Sequence, residues 1–288
     1  MAIYYLYRLA GLLLPLIPPR LGYWFFARLG DVIYHLSREA RRNVRHNLRH
    51  VLGAEASEAS LEDTVRQVFR NQLKNYFDLF RLPHLRPDEL AKVLTLQGWE
   101  YLEEALAAGR GVILVSGHCG NFDAVGQIMA FRSYKVIVVA EHLQPERLYQ
   151  YISQLRESQG LQIIPVDGAL KAIFKALRRN EMVALAADRD VTGSGIVVDF
   201  FGVPARLPDG YARLARRTGA RIVVGFSVRR PDNTFLAYAE PPLEVEVTGD
   251  RERDVQAIVE KVVALLERYL RQHPEQWVMF QPIWPVEE

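Results

Sequence analysis

His118 and Asp123 stand with four residues between them in the run Val115-Ser116-Gly117-His118-Cys119-Gly120-Asn121-Phe122-Asp123. The apolar segment Gly111-Val112-Ile113-Leu114-Val115 precedes them and reads as a buried strand, whereas Ala124, Val125, Ile128 and Met129 behind them have helical spacing. An imidazole and a carboxylate thus sit where a strand hands over to a helix. That is a setting for proton transfer, with His118 as the base and Asp123 holding its tautomer. Open α/β sheets bind ligands beyond the carboxyl ends of their strands, which is where this pair falls. The alternative is a capped loop histidine with no catalytic task.

The spacing alone is not specific. His50/Glu55 and His84/Glu89 repeat it, but in Arg-rich or Pro-flanked segments without a preceding strand, and these read as solvated surface. The strand, the flanking glycines and Asn121 set the third copy apart. Cys119 offers a thiol beside His118, yet adjacent residues on an extended backbone face opposite ways, so it reads as a packed bystander.

The elements that must hold the pair follow from the rest of the chain. Its 288 residues, 49% hydrophobic and 24% charged, suit one large α/β domain or a domain with an appendage. A single cysteine rules out an internal disulfide and fits a reducing compartment. From Trp99 onward, apolar runs alternate with helical periods. Strands are expected over 111–116, 135–140, 161–166, 182–187 and 222–228, with later ones over 235–239 and 243–247. Helices are expected over 124–131, 145–159, 169–180, 211–218 and 254–272. The fold class is α/β, a largely parallel central sheet with helices on both faces, plus an N-terminal apolar helical membrane-anchoring segment.

That segment is distinctive. Ile3 to Ile17 and Leu21 to Leu36 are apolar and aromatic, but neither holds the roughly 20 uninterrupted apolar residues of a spanning helix. They read as a helical hairpin lying in the membrane interface; a buried helix pair or one tilted span is the alternative. Residues 1–50 carry a net charge of +6 and the remainder −4. Arg38, Arg42, Arg45 and Arg49 share one helical face, suited to anionic lipid or, more blandly, to solvent. No DNA-binding motif accompanies them, and nucleic acid is not expected as a partner. Residues 62–80 form an amphipathic helix expected to pack on the catalytic domain. The expected division is residues 1–50, membrane-associated helices, and 51–288, the α/β domain.

Absences narrow the chemistry. The chain lacks G-x-G-x-x-G, a phosphate loop, His-Glu-x-x-His and a G-x-S-x-G elbow. Nucleotide redox, phosphoryl transfer, zinc proteolysis and serine hydrolysis lose support, and no metal site or resident cofactor is expected.

The run Gly117-His118-x-Gly120-Asn121-Phe122-Asp123 resembles the histidine–acid motif of glycerolipid acyltransferases, in the branch holding the lipid A late acyltransferases and phosphatidylinositol mannoside acyltransferases. Further blocks agree in order: Glu141-His142-Leu143-x-Pro145-Glu146-Arg147-Leu148 with Arg156-Glu157, then Ala187-Asp188-Arg189-Asp190 leading to Asp199-Phe200-Phe201-Gly202. Leu207-Pro208-x-Gly210, Ala215 to Ala220 and His273-Pro274-Glu275-Gln276-Trp277 complete them. The resemblance covers nearly the whole chain. Asp rather than Glu at the second motif position, and the block from Asp188 to Gly202, look more like the mannoside enzymes.

The resemblance implies a membrane-associated acyltransferase at the cytoplasmic face of the cell membrane. It would move a fatty acyl chain from acyl-coenzyme A or acyl carrier protein to a glycolipid hydroxyl, with a phosphatidylinositol-mannoside-like acceptor expected over a lipid A precursor. His118 would accept the hydroxyl proton and Asp123 would stabilise the imidazolium. Backbone N–H groups at Gly120 and Asn121 would hold the oxyanion. Arg156 is expected to bind the oxyanion or an acceptor phosphate, or else to pair with Glu157 or Glu146 on its helix. Glu141, Asp188, Arg189 and Asp190 would rim the crevice and bind sugar hydroxyls, or form a structural ion-pair network. The rival readings are a thioester hydrolase and a non-catalytic lipid-binding membrane protein.

Overall fold

The computed structural model describes residues 2–131, 133–158, 160–245 and 247–285. Four helices come first: α1 (Ala2–Leu13), α2 (Pro19–Leu36), α3 (Arg38–Leu52) and α4 (Glu58–Arg81). A short helix α5 (Pro87–Val93) leads into β1 (Leu94–Gln97), α6 (Trp99–Ala107) and β2 (Val112–Ser116). Then come α7 (Phe122–Phe131), β3 (Val136–Ala140), α8 (Glu146–Glu157), β4 (Gln162–Pro165), α9 (Leu170–Arg178) and β5 (Met182–Ala186). The hairpin β6 (Ile196–Phe200) and β7 (Val203–Leu207) precedes α10 (Gly210–Thr218), β8 (Arg221–Arg229), β9 (Phe235–Ala239) and α11 (Arg251–Gln272).

Seven strands form one sheet in the order β1-β9-β8-β2-β5-β3-β4. All neighbours run parallel except β8 and β9. The alternation of β2 explains its layers. Ile113 and Val115 face a core built with α9, α10 and α11, whereas Val112 faces one built with α6 and α7. Both faces are therefore covered, as continuous apolar strands require.

Three sequence expectations change. Residues 243–245 are not in a strand, and Glu246 lies outside the described residues, as does Gln159 at the expected end of α8. The strand β1 has only four residues and one buried side chain, Leu94, too little for a periodic signal in the sequence. The β6–β7 hairpin was hidden inside a motif block; its tip places Phe201 (φ +57°) and Gly202 (φ +78°) in the left-handed region. Two successive positive φ values match the twist of paired strands, and Asp199 Oδ1 accepts the Gly202 N–H at 2.8 Å.

The N-terminal helices are a pair resting on α4. Tyr23 and Phe26 of α2 pack on Phe77 of α4, and a Cβ on Gly30 would come within 2.8 Å of the Arg70 backbone, so the two helices touch through that glycine. Ile3, Leu6, Leu9, Leu12, Leu16, Trp24 and Phe25 are exposed on the outside. Among the described residues no helix is long and apolar enough to cross a membrane. The Arg face of α3 is only partly free for lipid. Arg45 Nε binds Glu62 at 2.7 Å, Arg45 and Arg49 both pair with Glu58, and Arg41 lies over the Tyr34 ring. His50, expected in solvent, stacks on Trp284 with centroids 4.2 Å apart. The division expected at residue 50 falls inside α3.

Candidate active site

Strand register builds the site. β2 and β5 are adjacent and parallel, with Ser116 opposite Ala186. Two residues beyond each, His118 and Asp188 meet. β3 lies on the other side of β5, and Glu141, which follows it, pairs with Arg189 at 3.1 Å. Three neighbouring strands thus bring an imidazole, a carboxylate and an ion pair to the carboxyl edge of the sheet, the position expected for a ligand crevice.

The imidazole partner is Asp188. Its Oδ1 lies 2.8 Å from His118 Nδ1, and its Oδ2 accepts the His118 backbone N–H at 2.6 Å. The Trp277 indole donates to the same Oδ2 at 2.9 Å. Asp188 is fully buried, while the His118 side chain is 30% exposed. With Nδ1–H donating to the carboxylate, Nε2 carries the free lone pair. Burial works against protonating His118, but the Asp188 charge and hydrogen bond outweigh it and raise the imidazole pKa above its ordinary value. Burial likewise pushes Asp188 up, and the charge and hydrogen bonds of His118, with Trp277, bring it below the usual carboxylate range.

Asp123, expected to hold the tautomer, is turned elsewhere. It accepts Arg156 Nη2 at 2.9 Å, and both side chains are about four-fifths buried. Asp123 is the second residue of α7 and is engaged by Arg156, whereas the β2–β5 register brings Asp188 to the His118 ring. Asp123 still adds to the negative field that favours the imidazolium, as the least of the influences on it. Arg156 therefore pairs with neither Glu157, which accepts the Ile163 N–H, nor Glu146, which binds His142 and Gln150. Its Nε is buried without a hydrogen-bond partner.

Other expected residues divide cleanly. The Gly120 N–H is taken by the Gln276 carbonyl at 2.8 Å, so it is not available to an oxyanion. Gly120 is nevertheless required: at φ +62° its Cβ would stand 2.2 Å from the Ser227 carbonyl oxygen. The Asn121 side chain caps α7, its Oδ1 accepting the Ala124 N–H at 3.0 Å. The other first-turn N–H groups of α7 have no intrahelical partner by helix geometry, and the first residue of that helix, Phe122, meets the His118 ring edge-on at 5.3 Å. Asp190 accepts N–H groups of Thr192, Gly193 and Gly195, so it shapes its own loop instead of the rim. Cys119 is buried, its thiol pushed well up by burial and by Asp188, which removes it as a nucleophile. An open cleft of about 740 Å³ between α3 and the β6–β7 hairpin is lined by none of these groups.

This geometry sits in a chain whose residues 1–285 match the family model described as bacterial lipid A biosynthesis acyltransferase. The chain belongs to that family. Within it, the chain is similar to the phosphatidylinositol mannoside acyltransferase of Mycobacterium tuberculosis, 36% identical over 214 residues, which cover 72% of this chain and 66% of that protein. It is 33% identical over 227 residues to the phosphatidylinositol mannoside acyltransferase of Mycolicibacterium smegmatis, covering 77% and 73%. The lipid A biosynthesis acyltransferase of Haemophilus influenzae is 24% identical over 270 residues, covering 93% and 82%. The match thus spans slightly less than two thirds of the length of the Mycobacterium tuberculosis relative. Both branches of the expected family are present among these relatives, and the mannoside proteins have the higher identities.

Sequence reasoning missed Trp277 as a ligand of the dyad. It stands in the block His273 to Trp277, which was legible only as a resemblance. Cys119 and Trp277 form a bridge between their backbones, and the Val278 N–H donates to the His118 carbonyl at 2.9 Å, so this C-terminal segment frames the loop that carries His118.

Proposed function

We propose that this acyltransferase-family member is itself an acyltransferase, moving a fatty acyl chain from an acyl thioester to a hydroxyl of a membrane glycolipid. The observation that carries the reading is the His118–Asp188 contact at 2.8 Å at the carboxyl edge of the sheet. An alcohol is a poor nucleophile at neutral pH. His118 Nε2 accepts its proton as the oxygen attacks the thioester carbonyl, and Asp188 stabilises the imidazolium. The tetrahedral intermediate collapses with cleavage of the C–S bond, and His118 returns the proton to the departing thiolate. A thioester is already activated, so no acyl-enzyme is required. The oxyanion is held by first-turn N–H groups of α7. Arg156, oriented by Asp123, lies beside it with an uncommitted Nε and binds the oxyanion or an acceptor phosphate.

The acceptor is a phosphatidylinositol-mannoside-like glycolipid, supported by the names and identities of the mycobacterial relatives. Sugar hydroxyls leaving water need paired donors and acceptors, and Glu141 with Arg189 supplies both at the rim. The donor is acyl-coenzyme A or acyl carrier protein. The exposed apolar side of α1 and α2 docks the enzyme on the bilayer, and the site works from the cytoplasmic face, where both donors are found. Incubation with palmitoyl-coenzyme A and a panel of phosphatidylinositol mannoside, a lipid A precursor and lysophosphatidic acid, read by mass spectrometry, tests this. Acylated mannoside is expected. Acylation of the lipid A precursor alone would overturn the acceptor assignment, and free fatty acid as the sole product would overturn acyl transfer.

A further inference from the structure

Asp78 is a fully buried carboxylate in the apolar stripe of α4, between Phe77 and Leu79. Its Oδ1 accepts the Tyr23 hydroxyl of α2 at 2.5 Å. Its Oδ2 accepts Arg229 Nη2 at 2.5 Å and Asn121 Nδ2 at 3.0 Å. Arg229 is the last residue of β8; the same Nη2 donates to Asn75 Oδ1 at 2.6 Å, and Asn75 Nδ2 donates to the Gly120 carbonyl at 2.6 Å. The Arg229 guanidinium also lies over the Tyr23 and Phe235 rings. Apart from the Phe235 ring of β9, the branches from Asp78 and Arg229 reach α2, α4 and the two residues that follow Cys119.

A buried ion pair is a poor device for stability, since removing two charges from water costs about what their attraction returns. Its better use is to specify one arrangement. Here that arrangement is the Gly120–Asn121 segment, which holds His118 on one side and starts α7 on the other. Gly120 sits in a region open chiefly to glycine, where the backbone has other choices unless tethered. Asn75 fixes its carbonyl, and Asp78 fixes the Asn121 side chain whose Oδ1 caps the helix.

We infer that Asp78, Asn75 and Tyr23 are positioning residues that lock the catalytic loop against α4 and α2. The inference rests on the reading of His118 as the base. It makes α2, whose Trp24 and Phe25 are exposed next to Tyr23, part of the active-site support as well as an outer surface.

The test compares Asn75→Ala and Tyr23→Phe with wild type and His118→Ala in palmitoyl transfer to phosphatidylinositol mannoside. Asn43→Ala, which removes a comparable donor to the remote Phe280 carbonyl, is the control. A displaced loop lowers kcat by about tenfold or more in Asn75→Ala and by about threefold in Tyr23→Phe, with KM within about twofold, since misplacement by about 1 Å costs up to 10²-fold. The control stays within about twofold of wild type. Folded variants with wild-type kcat, or with kcat and KM altered equally, would overturn the inference while His118→Ala stays inactive. An active His118→Ala would instead overturn the reading of the base. Hydrogen exchange of the segment 117–123 needs no acceptor: faster exchange in both variants is expected, and unchanged protection in both overturns the positioning role.

Discussion

The carboxyl edge of the sheet and the outer face of α3 both hold charged pairs, but solvent treats them differently. Asp188 is fully buried, with three hydrogen bonds converging on its two oxygens. Glu58, held by Arg45 and Arg49, is 66% exposed. A buried carboxylate that loses its partner leaves an uncompensated charge, at a cost of about 3–5 kcal/mol. An exposed pair is screened and contributes about 0–1 kcal/mol. The first pair therefore dictates where His118 points, and the second can be rearranged by lipid or salt. Charge count is a poor guide to function; burial of the partner is a better one.

The sharpest way to break this comparison is at the dyad. His118→Ala is expected to lower turnover by about 10²–10⁴-fold, the usual general-base contribution; purified variant retaining more than about a tenth of wild-type rate would remove the assigned base.

Next in size is the contrast between two aspartates. Asp188→Asn should lose more activity than Asp123→Asn, because only Asp188 touches the ring. The pH profile carries the sign. As the proposed base His118 must be neutral, and its pKa is raised, so kcat/KM should rise with pH through a midpoint above about 6.5, the ordinary imidazole value. Asp188→Asn removes the counter-charge and should move that midpoint to lower pH, with a lower plateau; Asp123→Asn should move it less. A larger shift in Asp123→Asn would return the tautomer-holding role to the motif's own acid.

The apolar surface comes third. Combined Leu12→Ser, Leu16→Ser and Trp24→Ser substitutions should weaken binding to phosphatidylcholine vesicles by more than about tenfold, since each buried apolar side chain is worth about 1.5–3 kcal/mol. These positions are exposed, so thermal stability should change little. Co-sedimentation equal to wild type would leave α1 and α2 without a role in docking.

The smallest effect belongs to α3. Arg38→Gln with Arg42→Gln should weaken binding to anionic vesicles at low salt by about 1 kcal/mol for each arginine near the surface. Arg45→Gln with Arg49→Gln should weaken it less, because those two are engaged with Glu58 and Glu62. Equal losses from both pairs would show that lipid displaces the internal partners.

Much of the fold was readable because continuous apolar runs of five or six residues and 3.6-residue periods are local signals. Six of the strands and the long helices α4, α8 and α11 lie within a few residues of expectation. The short β1 and the hairpin were not, since four or five residues with mixed exposure carry little periodicity. At the site, His118, Asp188, Arg156, Glu141 and Arg189 were all candidates, but their pairing was not. Asp78 did leave a trace, as a carboxylate among Phe77, Leu79 and Phe80, and nothing near it in the chain named its partner.

By itself, the sequence determined an α/β sheet, a helical apolar N-terminus and a histidine placed at the end of a strand, each from residues within about one helical turn or strand length. Only the tertiary structure decided which carboxylate holds that histidine. His118 and Asp188 lie 70 positions apart and meet because β2 and β5 pair parallel with Ser116 opposite Ala186. Strand register is set by burial across the whole sheet, and a short local spacing such as His118 to Asp123 contains no information about it.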